Sequence, residues 1–169
     1  MKKIILSILA VAAFGTANAQ DGGFKAGINV GLPMGDIKDA YSLSVGLDVA
    51  YTWEVADKFR AGVTTGYAHY MGKTETISLL GVEVEVDFED AGFIPLAGTA
   101  QYSFTDNFFG GLDLGYALGI SPSGNNGGLL YQPKVGYQTE KFEVYGGYKG
   151  ISADGSTFSS VNLGFNYKF

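Results

Sequence analysis

The sequence predicts an all-β protein, an eight-stranded antiparallel up-and-down transmembrane β-barrel preceded by a cleaved signal peptide. Three observations predict it. Long segments alternate between apolar and small or polar residues. The connections between those segments alternate between short and long. Aromatic residues gather at the segment ends.

The first 19 residues stand apart from that pattern. Lys2 and Lys3 make a basic start, and Ile4 to Phe14 make a short apolar run. Ala17-Asn18-Ala19 then supplies the small-x-small pattern of a signal-peptidase site, so cleavage is expected before Gln20. The run is too short to span a bilayer as a helix. The expected division is therefore a signal peptide over 1–19 and one barrel domain over 20–169. Removing the signal takes away Lys2 and Lys3 and no acid, which leaves 9 basic and 17 acidic residues and a net charge of −8. An acidic exported chain is not built to bind nucleic acid. The chain has no cysteine, which excludes lipid anchoring through a thiol, disulfides and thiolate metal sites.

The strand segments follow in order. Phe24, Ala26, Ile28, Val30 and Leu32 share one face of the first. From Tyr41 to Trp53 the odd positions are Tyr, Leu, Val, Leu, Val, Tyr and Trp, and the even ones are small or polar. Thirteen residues of alternation exceed an ordinary soluble strand and satisfy a membrane strand. The third segment, Phe59 to Tyr70, places Phe59, Ala61, Val63 and Tyr67 outward. The fourth carries Ile94, Leu96, Ala100, Tyr102 and Phe104, and the fifth Phe108, Leu112, Leu114, Tyr116, Leu118 and Ile120. The sixth carries Leu129, Tyr131, Val135 and Tyr137. The seventh carries Phe142, Val144 and Tyr148, and the eighth Val161, Leu163, Phe165, Tyr167 and Phe169.

Val55–Lys58, Thr105–Asn107 and Thr139–Lys141 are short connections. Pro33–Ala40, Gly72–Ala91, Ser121–Gly128 and Ser152–Phe158 are longer, as expected of external loops. Phe24, Trp53, Phe59, Tyr102, Phe104, Phe108, Phe142 and Phe169 fall by the short turns or termini; Tyr41, Tyr67, Tyr131 and Tyr148 fall by the long loops. Two aromatic girdles are expected at two interfaces. An even strand count puts both termini in the periplasm and leaves no edge in lipid.

The alternation Val161-x-Leu163-x-Phe165-x-Tyr167-x-Phe169 resembles the terminal strand signal of bacterial outer-membrane proteins. That resemblance implies recognition by the barrel-assembly machinery. Phe93-Ile94-Pro95-Leu96, Gln101-Tyr102-Ser103-Phe104 and Gly110 to Tyr116 are similar to the outer-membrane β-barrel domain family common in Bacteroidetes, an OmpA/OmpX-like eight-stranded type often labelled the porin family. The resemblance implies a monomer in the outer membrane of a Gram-negative-type bacterium, surrounded by outer-membrane lipid and lipopolysaccharide. The family is functionally diverse, so it implies no one activity.

Residues opposite the apolar face should fill the lumen: Lys25, Asn29, Asp48, Arg60, Gln101, Asp113, Gln132, Lys134, Gln138, Glu143 and Lys149. Eight-stranded interiors are just wide enough for side chains to fill. Asp48, Arg60, Asp113, Lys134, Glu143 and Lys149 are expected to form a mutually neutralised network, since lone charge in a narrow lumen is costly. With the hairpin centred between Gly124 and Asn125, Asp113 falls opposite Gly136 and diagonal to Lys134, which predicts an Asp113–Lys134 ion pair. Glycines four apart (Gly111, Gly115, Gly119; Gly62, Gly66) read as small lumen residues that leave room for Gln132 and Tyr145.

The stretch from Gly72 to Asp90 is not turn-rich. Val82, Val84, Val86 and Phe88 alternate with Glu83, Glu85, Asp87 and Glu89. A turn at Leu80-Gly81 sets Ile77 against Val84 and Leu79 against Val82, and the outward parity continues in phase into the fourth segment, so the third and fourth strands should project beyond the membrane as one hairpin. The apolar face could bind an extracellular protein by strand addition, and the acid row could bind divalent cations or basic partners. The plainer alternative is that the acids only solubilise an exposed edge.

Three classes of function are carried: a structural or surface-interaction barrel, a narrow porin-like channel for ions or small solutes, and a lipid A-modifying enzyme. The third needs His with Ser and an acid. His69 is the one histidine and faces lipid by parity, but Met71 is its next neighbour on that face. The cross-strand neighbours expected for it, Gly92 and Ile94, are apolar. No catalytic residues, metal ligands or cofactor site are therefore assigned, and a non-enzymatic role is expected.

Overall fold

A computed structural model describes residues 22–79, 82–153 and 155–169, with side-chain detail for all but 75–79 and 82–84. The expected signal peptide and the expected turn at Leu80-Gly81 lie outside the described residues. The strands are β1 (Gly23–Met34), β2 (Tyr41–Ala56), β3 (Phe59–Gly72), β4 (Thr74–Leu79), β5 (Val82–Asp87), β6 (Ala91–Ser103), β7 (Phe108–Ser121), β8 (Gly128–Gln138), β9 (Phe142–Ala153) and β10 (Ser156–Lys168). A single 3₁₀ turn, Gly35–Ile37, follows β1.

Eight strands close in the order β1-β2-β3-β6-β7-β8-β9-β10, each antiparallel to its neighbours. β10 returns to β1 from Lys25↔Lys168 to Met34↔Ser159, so the sheet has no edge. β4 and β5 form a separate two-stranded sheet. The alternation reads out directly as burial. Ile28, Leu47, Leu114, Leu118, Val135 and Leu163 are exposed on the outer wall, while Lys25, Asn29, Gln101, Asp113, Gln132 and Glu143 are buried within. Such a continuous apolar exterior wrapped on a polar interior is the inverse of a soluble protein and matches a lipid-facing wall.

Two of the three short turns are built alike. Thr105 Oγ1 accepts from the Asn107 and Phe108 amides at 3.3 and 3.0 Å. Thr139 Oγ1 accepts from the Lys141 and Phe142 amides at 3.3 and 3.1 Å. In each case a hydroxyl replaces a backbone acceptor and tightens the reversal. The aromatics beside these turns sit outward in edge-to-face pairs: Phe24 with Tyr51 at 4.8 Å, Phe108 with Tyr137 at 5.5 Å and Tyr167 with Phe169 at 5.1 Å.

Two expectations fail here. Ser152–Phe158 is not a long loop, because β9 and β10 stay paired up to Ala153↔Ser156. Gly155, at φ +87°, makes the tight reversal that the sequence spacing concealed. Tyr41 is not in an outer girdle. A β-bulge between Tyr41 and Leu43 reverses its parity and turns the ring inward.

Candidate functional site

The lumen is filled in two storeys. At the end where β1 begins and β10 ends lies a polar storey centred on Glu143, which is 2 % exposed. Glu143 accepts from Lys25 Nζ at 2.9 and 3.1 Å and from Asn166 Nδ2 at 3.3 Å, and pairs with Lys168 Nζ at 3.2 Å. Lys25 also donates to Gln101 Oε1 at 2.9 Å, and Gln101 Nε2 donates to Gln138 Oε1 at 2.9 Å. These bonds tie β1, β6, β8, β9 and β10 together across the interior.

The expected ion pair is present. Lys134 Nζ donates to both oxygens of Asp113, at 2.9 and 2.7 Å. The register beneath it differs from the expectation, with Asp113 opposite Gln132 rather than Gly136. Asn125 explains the difference. Its amide bonds Pro122 O, its side chain bonds Ser121 O, and it accepts from the Gly127 amide, so the turn is wound onto the β7 side. Lys134 remains diagonal to Asp113 in either register. Its ammonium also lies 5.4 Å from the Tyr145 ring centre. The Tyr145 hydroxyl donates to Asp48 Oδ2 at 3.1 Å, which Asn29 Nδ2 bonds at 2.6 Å.

Of the six residues expected in the network, Asp48, Asp113 and Lys134 are linked through Tyr145, while Glu143 is held in the separate cluster with Lys25 and Lys168. Arg60 sits lower, where its Nη2 donates to Thr52 O at 3.3 Å and it lines a mouth pocket of about 450 Å³ with Lys25 and Lys168. Lys149 is buried, but among the described residues no hydrogen bond or ion pair joins it to the other charges. Lys168, a partner of Glu143, was not among the expected lumen residues. It continues the inward parity of Asn162 and Asn166, which was the available signal.

The opposite storey is an apolar plug, also unexpected. Tyr70 and Phe93 are fully buried, and Phe158 lies 5.5 and 4.9 Å from their ring centres. Tyr41, turned in by its bulge, packs on Tyr70 and Phe158 at 6.1 and 5.4 Å. Leu130 and Ile151 fill the wall, and Ile37 from the 3₁₀ turn joins the same buried cluster at 4 % exposure. Within the polar part of the lumen, among Lys25, Asp48, Asp113, Lys134 and Tyr145, lies a void of about 20 Å³, room for about one water. A conducting path would need the plug to move aside.

Beyond the plug stands the β4–β5 sheet. Its register is the expected one, with Ile77 opposite Val84 and Leu79 opposite Val82. It is a discrete sheet rather than a continuation of the barrel strands. At its base the Lys73 amide turns to Ala40 O and the Phe88 amide to Lys73 O, both at 2.9 Å. Glu85, Asp87, Phe88 and Glu89 are exposed, and Val86 is half-buried. The side chains of Val82, Glu83 and Val84 lie outside the described detail.

His69 has a polar setting that the sequence did not reveal. Gly92 does stand opposite it, as expected. Its Nε2, however, lies 3.2 Å from Asp90 Oδ2, and its Nδ1 lies 3.1 Å from the Tyr67 hydroxyl. The other Asp90 oxygen accepts from the Gly72 amide at 2.8 Å. Ser121 Oγ is nearby but donates to Asp90 O, so it does not complete a Ser–His pair. Val161, Leu163, Phe165 and Tyr167 lie on the outward face of β10, and Phe169, just past its end, is 79 % exposed.

No protein-family model matches the chain, and no curated protein does. Solved structures do. The attachment invasion locus protein Ail of Yersinia pestis aligns with a TM-score of 0.54 at 16 % identity, over 88 % of this chain and 97 % of that one. The N-terminal β-barrel domain of Pseudomonas aeruginosa OprF aligns with a TM-score of 0.50 at 12 % identity, over 89 % and 98 %. A de novo designed transmembrane β-barrel aligns with a TM-score of 0.53 at 11 % identity, over 87 % and 95 %. At such identities the likeness is one of architecture, and the chain has the fold of the small outer-membrane β-barrels.

Proposed function

We propose that this protein is a closed outer-membrane barrel that works at the cell surface, where its β4–β5 hairpin binds an extracellular protein by strand addition. The observation that carries the reading is the two-stranded sheet itself, raised clear of a closed barrel. A two-stranded sheet alone is marginal in water and offers unpaired backbone groups on both outer edges. An added strand would satisfy those groups, with alternate positions supplying specificity. The acidic positions favour a basic partner strand and suppress self-pairing.

The apolar wall supports a place in the membrane. The terminal alternation ending at Phe169 supports assembly by the barrel-assembly machinery and periplasmic termini. Residues 1–19 support export by a cleaved signal, and the motifs around Phe93–Phe104 support the Bacteroidetes-type family. The closed wall, with every strand paired, supports a monomer in lipid and lipopolysaccharide. A filled lumen and a His69 without a serine partner favour a non-enzymatic, non-conducting barrel.

The test is photo-crosslinking on intact cells from a reactive residue at Lys38, an exposed position whose backbone oxygen meets Lys73 at the base of the hairpin, in the full chain and in a chain lacking residues 73–89. The reading expects a surface protein that links to the full chain and is lost with the hairpin. The same products from both chains would refute it.

A further inference from the structure

Asp90 closes the base of the hairpin from three sides. Oδ1 accepts from the Gly72 amide, where β3 leaves the barrel. Oδ2 meets His69 Nε2, and the backbone carbonyl accepts from Ser121 Oγ at the end of β7. Gly72 and Asp90 are the two ends of the projecting segment, so one carboxylate holds both together.

We propose that Asp90 is a latch that fixes the hairpin's position on the barrel rim, and that protonation of His69 tightens it. This concerns the control of the surface site proposed above and depends on that reading only for its biological use. A carboxylate only accepts hydrogen bonds, so Nε2 carries the ring proton in neutral His69, and Nδ1 accepts from the Tyr67 hydroxyl. A second proton enters at Nδ1. The Tyr67 hydroxyl then turns to accept, and the Asp90 bond becomes charge-assisted and stronger.

The surroundings leave His69 as the controlling group. Its cross-strand neighbours are Val45 on β2 and Gly92 on β6, neither titratable. Glu89 adjoins Asp90, and Tyr41 lies within electrostatic reach of both acids. Ser121 on β7 is neutral. Lys73 directs its ammonium to Lys38 O, 2.8 Å away. Among the described residues His69 is the ion-pair partner of Asp90. The side chains are 26 % and 55 % exposed, so solvent screens the pair and its effect on global stability is small. It acts on position, and position is what must be measured.

The chain has no cysteine, so two introduced ones give a unique spin-label pair. Glu85→Cys reports the hairpin and Leu118→Cys the wall. Electron–electron distances are measured on the full barrel in lipid nanodiscs at about pH 8 and about pH 5. The unaltered latch should give one narrow distance peak that sharpens at the lower pH. Asp90→Ala should lose the narrow peak at both. His69→Gln, which keeps a donor but cannot titrate, should keep the peak and lose its pH response. Heat-modifiable migration on a gel checks each variant's barrel. If Asp90→Ala does not fold, Asp90→Asn takes its place and should lose the pH response. A peak width indifferent to Asp90, or a pH response that survives His69→Gln, would overturn the latch. No partner is needed, so this outcome is independent of the crosslinking test.

Discussion

Replacing Glu143 by alanine should be among the most damaging single changes in the barrel. The carboxylate is 2 % exposed and is held by Lys25, Lys168, Asn166 and Gln101. Its removal leaves two ammonium groups facing each other beside the lumen without their shared counter-charge. Breaking a buried pair from one side costs about 3–5 kcal/mol. At about 1.4 kcal/mol per tenfold, the folded-to-unfolded ratio falls roughly 10²- to 4 × 10³-fold. Trp53 is the only tryptophan and packs beside Tyr51 on the outer wall, so its emission reports unfolding in urea from detergent micelles. Glu143→Gln keeps an acceptor and should cost clearly less than Glu143→Ala. An unfolding free energy for Glu143→Ala within about 1 kcal/mol of the parent would refute the reasoning, because the two lysines would then not depend on Glu143.

Other outcomes follow from the same geometry. Asp113→Leu or Lys134→Met alone should destabilise by a few kcal/mol, at about 3–5 kcal/mol each, while the double change should be close to neutral, as urea titration would show. Gly164→Ala should destabilise by about 1–3 kcal/mol, because a Cβ there meets the Tyr145 ring, and Tyr145→Leu should relieve most of that loss. Deleting residues 73–89 should leave a heat-modifiable barrel on a gel, since β4 and β5 pair only with each other.

The parts of this structure that were legible in the sequence are those governed by period-2 parity. Strand faces, the polar lumen set and the register of the hairpin all follow from alternation that every neighbouring strand repeats. The Asp113–Lys134 pair was legible because a diagonal contact survives a shifted register. What parity could not reveal is where it breaks. The bulge at Tyr41/Leu43 moved one ring from the outer surface into the plug, and nothing in Tyr41-Ser42-Leu43 marks it. The plug was hidden because Tyr70 and Phe93 read as ordinary strand aromatics until the barrel's closure brought them to Phe158. The His69–Asp90 contact joins residues 21 apart through the base of the hairpin. It depends on how Lys73 and Phe88 bend away from the barrel strands, which no local pattern specifies.

The claim on which the rest depends is that the lumen is sealed and the working surface lies outside it. Planar-bilayer recording of the purified, refolded barrel tests this most directly. With Tyr70, Phe93 and Phe158 packed across the interior, the unaltered protein should show no unitary current steps above the lipid background. Reproducible steps from the unaltered protein, altered by Glu143→Gln or Lys134→Met, would contradict the account and establish a conducting lumen.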